Sequence, residues 1–182
     1  MRLDEAQAWI FLMDRFERVL VAVNRGLLIV LLLVMACIVF ANVVLRYTTG
    51  DSIYWAEEVA RHLMAWVTFL GAGLVLRFGG HVAIDNLHQA VGPRWARRLR
   101  ALVAVCLGLS FLLMAYHASL YVWATRFQTT AATDIPFAWI YAAMPLGFVL
   151  LFLHLLFIAR GYVVEGRYAA STEMDAEAAA SL

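Results

Sequence analysis

Glu57, Glu58, Arg61 and His62 place four ionisable side chains within six positions of an otherwise apolar stretch. Glu57 to Arg61 and Glu58 to His62 are both i, i+4 pairs in the acid-first order that favours an ion pair on a helix. Charged groups close to a membrane can relay protons or hold a coupling ion. They can equally fix the depth of a helix and orient a partner, and this spacing specifies no ion site. His62, His117 and His154 fall in or near three separate apolar runs, where imidazoles could serve as axial ligands of a haem b-type membrane anchor. The alternative is polar packing between helices. It is favoured because His62 and His117 lie near one membrane face and His154 nearer the other, and no further axial pair is evident.

Cys37 and Cys106 sit inside apolar runs and read as small hydrophobes, not as a disulfide or metal framework. Gly79-Gly80 is followed by no Gly-Lys-Ser/Thr, so nucleotide-driven chemistry finds no support. No catalytic set, cofactor site or metal site emerges, and the chain is not expected to be an enzyme.

The elements that carry these residues are membrane spans. Hydrophobic residues make up 64% of the 182 positions and charged residues 15%, with a mean hydropathy of +0.80; a soluble domain carries far more charge. The net charge of +1 gives no basic field for a nucleic-acid partner. A bilayer core about 30 Å thick needs about 20 apolar residues of helix. Four runs qualify, near residues 26–45, 59–76, 101–124 and 137–159, with Pro145 expected to kink the last. The fold class is therefore an all-α integral membrane protein with four transmembrane helices.

Residues 1–25 read as an amphipathic helix lying on the membrane surface, with Trp9, Leu12, Met13, Phe16 and Leu20 on one side and Asp14, Arg15, Glu17 and Arg18 on the other. The competing arrangement prolongs span one into the cytosol. Interspersed acids and bases, and a following run too long for an h-region, argue against a cleaved signal peptide. A second interfacial helix is expected within 81–100, broken at Gly92-Pro93. Residues 26–160 then form the transmembrane domain, and 161–182 an Ala-rich, acidic, disordered tail. Trp9, Trp55, Trp95, Trp123 and Trp139 fall at span boundaries, as interfacial anchors do. Gly71-Ala72-Gly73 offers a smooth surface for close helix approach.

All 14 basic residues are Arg. Arg2, Arg15, Arg18, Arg25, Arg77, Arg94, Arg97, Arg98, Arg100, Arg160 and Arg167 fall on one side of the four spans, and Arg46 and Arg126 on the other. By the positive-inside rule both termini are cytoplasmic.

In order, Asn42-Val43-Val44-Leu45-Arg46-Tyr47, Trp55-Ala56-Glu57-Glu58-Val59-Ala60-Arg61, Trp66, Phe69-Leu70-Gly71-Ala72, and Arg77 with His81-Val82-Ala83-Ile84-Asp85 resemble the small membrane subunit, DctQ type, of tripartite ATP-independent periplasmic (TRAP) transporters. The similarity spans about residues 26–160. It implies a complex in the bacterial or archaeal inner membrane. A periplasmic binding protein captures an organic anion, often a carboxylate, and a large membrane subunit moves it using a sodium gradient. The small subunit would brace the large one within the lipid and help receive the binding protein. The resemblance also marks Arg46, Trp55, Glu57, Glu58, Arg61, Arg77, His81 and Asp85 as an interface cluster. Arg46, Asp51, Arg126 and Asp134, on the two periplasmic loops, are candidate docking contacts.

Overall fold

The computed structural model describes residues 2–77 and 92–165. Helix α1 runs from Arg2 to Thr49, 48 residues without interruption, about 72 Å at 1.5 Å per residue. Proline is absent from it, and Gly26, its one glycine, costs a helix only about 1 kcal/mol. Nothing forces a bend at the start of span one. The helix therefore runs without a break from the amphipathic stretch through residue 25 into the span. The helix stops at Gly50, whose φ of 79° no β-carbon opposes and whose N–H returns to the Arg46 carbonyl at 3.2 Å.

Helix α2 spans Ala56–Arg77 and α3 spans Pro93–Ala124. The break at Gly92-Pro93 is an α3 start, with an extended Gly92 before the helix and proline at its first position. The Arg-rich stretch from Arg94 to Arg100 is thus the first two turns of span three. The last span is split into α4, Phe137–Tyr141, and α5, Ala143–Glu165. Pro145 explains the division, because its ring displaces the carbonyl four residues earlier, that of Tyr141, where α4 ends. The helix continues to Glu165, past the expected tail boundary at 161. The interfacial helix expected in 81–92 and the tail beyond 165 lie outside the described residues. Among the described residues four helices are long and apolar enough to cross a membrane, as the composition implies.

Helix α5 packs against both α2 and α3, and α1 packs against α2. The core gathers Leu76, Leu151, Leu155, Ile158 and Tyr162, with Ala72, Val103 and Phe111 around them. Small residues set the α2–α5 approach. A β-carbon added at Gly147 would stand 2.6 Å from the Phe69 carbonyl oxygen, and one added at Gly73 would run into the His154 ring. Gly71, on the other side of α2, faces Leu28 of α1 at an ordinary 3.8 Å. The Gly71–Gly73 stretch thus meets two helices at once.

A row of partly covered residues on α1, Asn24, Leu28, Leu31, Met35, Ile38 and Asn42, recurs at three- and four-residue steps and faces α2. The rest of α1 is uncovered: Val23, Leu27, Val30, Leu33 and Phe40 all stand exposed.

Candidate functional site: the Glu58-anchored loop

Antiparallel connection brings the end of α1, the start of α2, the end of α3 and the start of α4 to one end of the bundle, so both loops that hold docking candidates share one face. The longer loop, 125–136, folds onto itself. Phe137 N–H donates to Gln128 O at 2.9 Å and Thr130 N–H to Ile135 O at 3.0 Å. The Thr130 hydroxyl accepts from Ile135 N–H at 3.1 Å and meets the Thr133 hydroxyl at 2.9 Å. Asp134 takes a left-handed φ of 52°, which Asp tolerates better than most side chains.

This loop is fastened to α2 by Glu58. Its carboxylate accepts from Ala132 N–H at 2.9 Å, Thr133 N–H at 3.1 Å and the Thr133 hydroxyl at 2.5 Å. The residue is only 8% exposed. Three donors converging on two oxygens suit an ionised carboxylate, which accepts only. Glu58 is therefore a tertiary clamp across 75 positions of sequence, and its hydrogen bonds run to the loop instead of along the helix to His62.

Other candidates fall out differently. Glu57 and Arg61 are both exposed, and no ion pair joins them. Asp51 lies in the connection before α2, its N–H donating to the Thr49 hydroxyl at 3.3 Å. Trp55 stands half-exposed just before α2, and Arg46 is exposed in the last turn of α1. Arg126 donates to the Trp123 carbonyl at 2.7 Å and lies over the Trp123 and Phe127 rings at 3.9 and 4.3 Å. That arrangement presents a guanidinium braced by two exposed aromatic rings. At the opposite end Arg77 pairs with Glu17 at 2.6 Å, while His81 and Asp85 lie outside the described residues.

Two asparagines to which no role was assigned fasten α1, one to α2 and one to the segment that leads into it. Asn24 donates through Nδ2 to the Leu70 carbonyl at 3.0 Å, and Asn42 Oδ1 accepts from Ile53 N–H at 2.7 Å. The signal was present: 18 residues separate them, five full helical turns, so they share a face.

The three histidines are scattered. His117 is exposed on α3 and His62 half-buried near the start of α2, whereas His154 is fully buried against Gly73. Gly73 lies 11 residues beyond His62, about 16 Å along the helix, so His62 and His154 do not face one another across a common gap. Among the described residues neither His154 nitrogen finds a hydrogen-bond partner, an uncommon state for a buried polar group. Among the described residues no group of three His, Cys, Asp or Glu could hold a metal ion.

What the arrangement offers is a rigid, membrane-embedded platform. Its interior is mainly apolar, with Asn24, Glu58 and His154 buried in it, its outer helices are largely exposed, and one end carries a fastened loop. That is the form of an accessory membrane subunit. Residues 35–161 match the family described as tripartite ATP-independent periplasmic transporters, DctQ component, and the chain belongs to that family of TRAP transporter small permease subunits. It is 27% identical over 150 residues to the ectoine TRAP transporter small permease protein TeaB of Halomonas elongata, covering 81% of this chain and 74% of that protein. The C4-dicarboxylate TRAP transporter small permease protein DctQ of Vibrio cholerae is 36% identical over 103 residues, 56% of this chain and 41% of its own length. Its namesake from Rhodobacter capsulatus is 30% identical over 132 residues, 66% and 55% respectively. The match with these last two thus spans about half of their length.

Proposed function

We propose that this chain is a noncatalytic brace. It holds a large transport subunit level in the inner membrane and helps dock a periplasmic substrate-binding protein during sodium-coupled uptake of an organic anion, a carboxylate. The observation that carries this reading is the uncovered apolar surface of α1, none of whose most apolar window is buried. A helix about twice the length of the hydrocarbon core, packed along its span on α2 and meeting α5 near Phe16, suits a partner on its exposed side. Both termini are assigned to the cytoplasm by the Arg asymmetry.

The face bearing Arg46, Asp51, Arg126 and Asp134 would then look outward, toward the binding protein. Glu58 holds the Arg126–Asp134 loop in one shape, which lowers the ordering cost of docking. Proteins similar to this one are named for ectoine and for C4-dicarboxylates. Different substrates on one scaffold fit a subunit that does not itself select them.

The test is to purify the tagged chain from its native membrane in mild detergent, identify what accompanies it by mass spectrometry and record a visible spectrum. Uptake of labelled organic acids is compared in cells with and without the chain. A large polytopic partner, and sodium-dependent uptake lost on deletion, are expected. Unchanged uptake in the deletion strain would remove the bracing role, and a Soret band would restore the haem alternative.

A further inference from the structure

The loop between α3 and α4 is built as a short hairpin. Thr129 and Pro136 face each other as an antiparallel bridge, with Gln128 and Phe137 bonded on one side of it and Thr130 and Ile135 on the other. The hairpin leaves the end of α3, and its tip is held by Glu58, in the first turn of α2, through the Ala132 and Thr133 amides. It therefore lies across the end of the bundle, from α3 to α2.

Its two charged residues stand at opposite ends. Arg126 is at the base, fixed by its bond to the Trp123 carbonyl and by the Trp123 and Phe127 rings beneath its guanidinium. Those rings are 66% and 82% exposed. Asp134 is at the tip, exposed, on backbone held in the left-handed region. Among the described residues neither makes an ion pair. The other exposed charges at this end balance in sign, Arg46 with Asp51 and Glu57 with Arg61, while the Glu58 carboxylate under the tip adds to its negative side.

This end of the bundle is thus bipolar, positive over α3 and negative over α2. Holding both charges in place costs loop entropy. A lipid phosphate, free to diffuse to any guanidinium, gains nothing from that order. A protein surface of opposite polarity does, because charges in fixed register decide which way round it lands.

We propose that the hairpin orients the substrate-binding protein, an acidic patch of that protein meeting Arg126 between its two rings and a basic patch meeting Asp134. This rests on the docking reading above and adds the polarity of the contact. On that reading the large subunit lies against α1, which packs on α2, so the negative end of the hairpin is the end nearer to it. The binding protein is then aligned across both membrane subunits, its basic patch toward the large one.

The experiment measures binding of the substrate-loaded binding protein of the same transporter to the intact membrane complex in nanodiscs, by biolayer interferometry at low and high salt. The variants are Arg126→Gln, Asp134→Asn, whose new side chain tolerates left-handed backbone, and the two together. Each single variant should raise Kd about two- to five-fold, the scale of one exposed charge pair, and the double variant should multiply the two effects. All three should be less sensitive to salt. If one single variant tightens binding while the other weakens it, net charge alone steers the encounter and the orientation is overturned. An unchanged Kd for either single variant overturns it as well; where Arg126→Gln instead loosens phosphatidylglycerol in native mass spectra, the guanidinium serves the membrane. An unaltered complex that never binds the protein removes the docking reading itself, and this inference with it.

Discussion

Replacing Gly147 with alanine tests how far the α2–α5 crossing depends on backbone approach. The added methyl would lie 2.6 Å from the Phe69 carbonyl oxygen, 2.7 Å from its Cβ and 2.9 Å from its carbonyl carbon. Unstrained carbon contacts lie near 3.5–4.0 Å, so the helices must part by about 1 Å at this point. Two of the three atoms belong to the α2 backbone and cannot rotate away. Overpacking of this kind costs about 1–3 kcal/mol, and alanine recovers up to about 1 kcal/mol of helix propensity. The net expectation is a destabilisation of about 1–2 kcal/mol. Gly71→Ala supplies the control, because its methyl would meet Leu28 at 3.8 Å, an ordinary contact. That variant should keep the propensity gain and be neutral or slightly more stable. Unfolding by SDS titration in mixed micelles, followed by tryptophan fluorescence, reads both. If Gly147→Ala unfolds at the same or a higher SDS fraction than Gly71→Ala, the crossing is not limited by that contact and the reasoning fails.

Three further perturbations address the two ends of the bundle. Glu58→Gln keeps the size of the side chain but cannot accept three donors as an anion. Hydrogen exchange at the Ala132 and Thr133 amides should rise selectively while exchange in mid-α2 stays fixed; uniform exchange across both would show that the loop is not held by this carboxylate. At the other end, Glu17→Gln and Arg77→Gln should each destabilise more than half of what the double variant does, with a coupling energy of about 0.5–2 kcal/mol in a double-mutant cycle; additive losses would dissolve the pair. Arg126→Ala should slow association with the binding protein and flatten its salt dependence, since a rim charge acts mainly on encounter, while leaving the assembly of the membrane subunits intact. An unaltered association rate would remove Arg126 from the docking face.

The parts of this fold that were legible in sequence are those governed by the lipid. Span length, the kink at Pro145 and the Gly92-Pro93 break each follow from a local rule that needs no knowledge of neighbours. The family-marked positions were also visible, but only as positions. Glu58 shows why its role was hidden: the i, i+4 geometry toward His62 is real on the helix, yet the carboxylate goes to Ala132 and Thr133. In a poorly solvated setting a carboxylate gains more from three converging donors than from one half-buried imidazole. Such a choice depends on a loop folded by its own Thr130 and Asp134 turn, and no spacing rule near residue 58 encodes it.

The continuity of α1 through residue 25 has a related cause. Part of the polar face of residues 7–25 serves α2. Glu17 reaches Arg77 and Asn24 reaches the Leu70 carbonyl, while Phe16 meets the Phe157 ring of α5 at a centroid distance of 6.1 Å. A helix with one polar and one apolar face is ambiguous between lying on a bilayer and packing on a protein, because both environments sort residues by polarity. What separates them is whether the polar positions repeat in register with a neighbouring helix. Glu17, Asn24 and Asn42 do, at intervals of seven and eighteen residues, or two and five turns. That register makes α1 a strut fixed at three heights, twice to α2 and once to the segment leading into it, which leaves the opposite apolar face of its span exposed for a further partner.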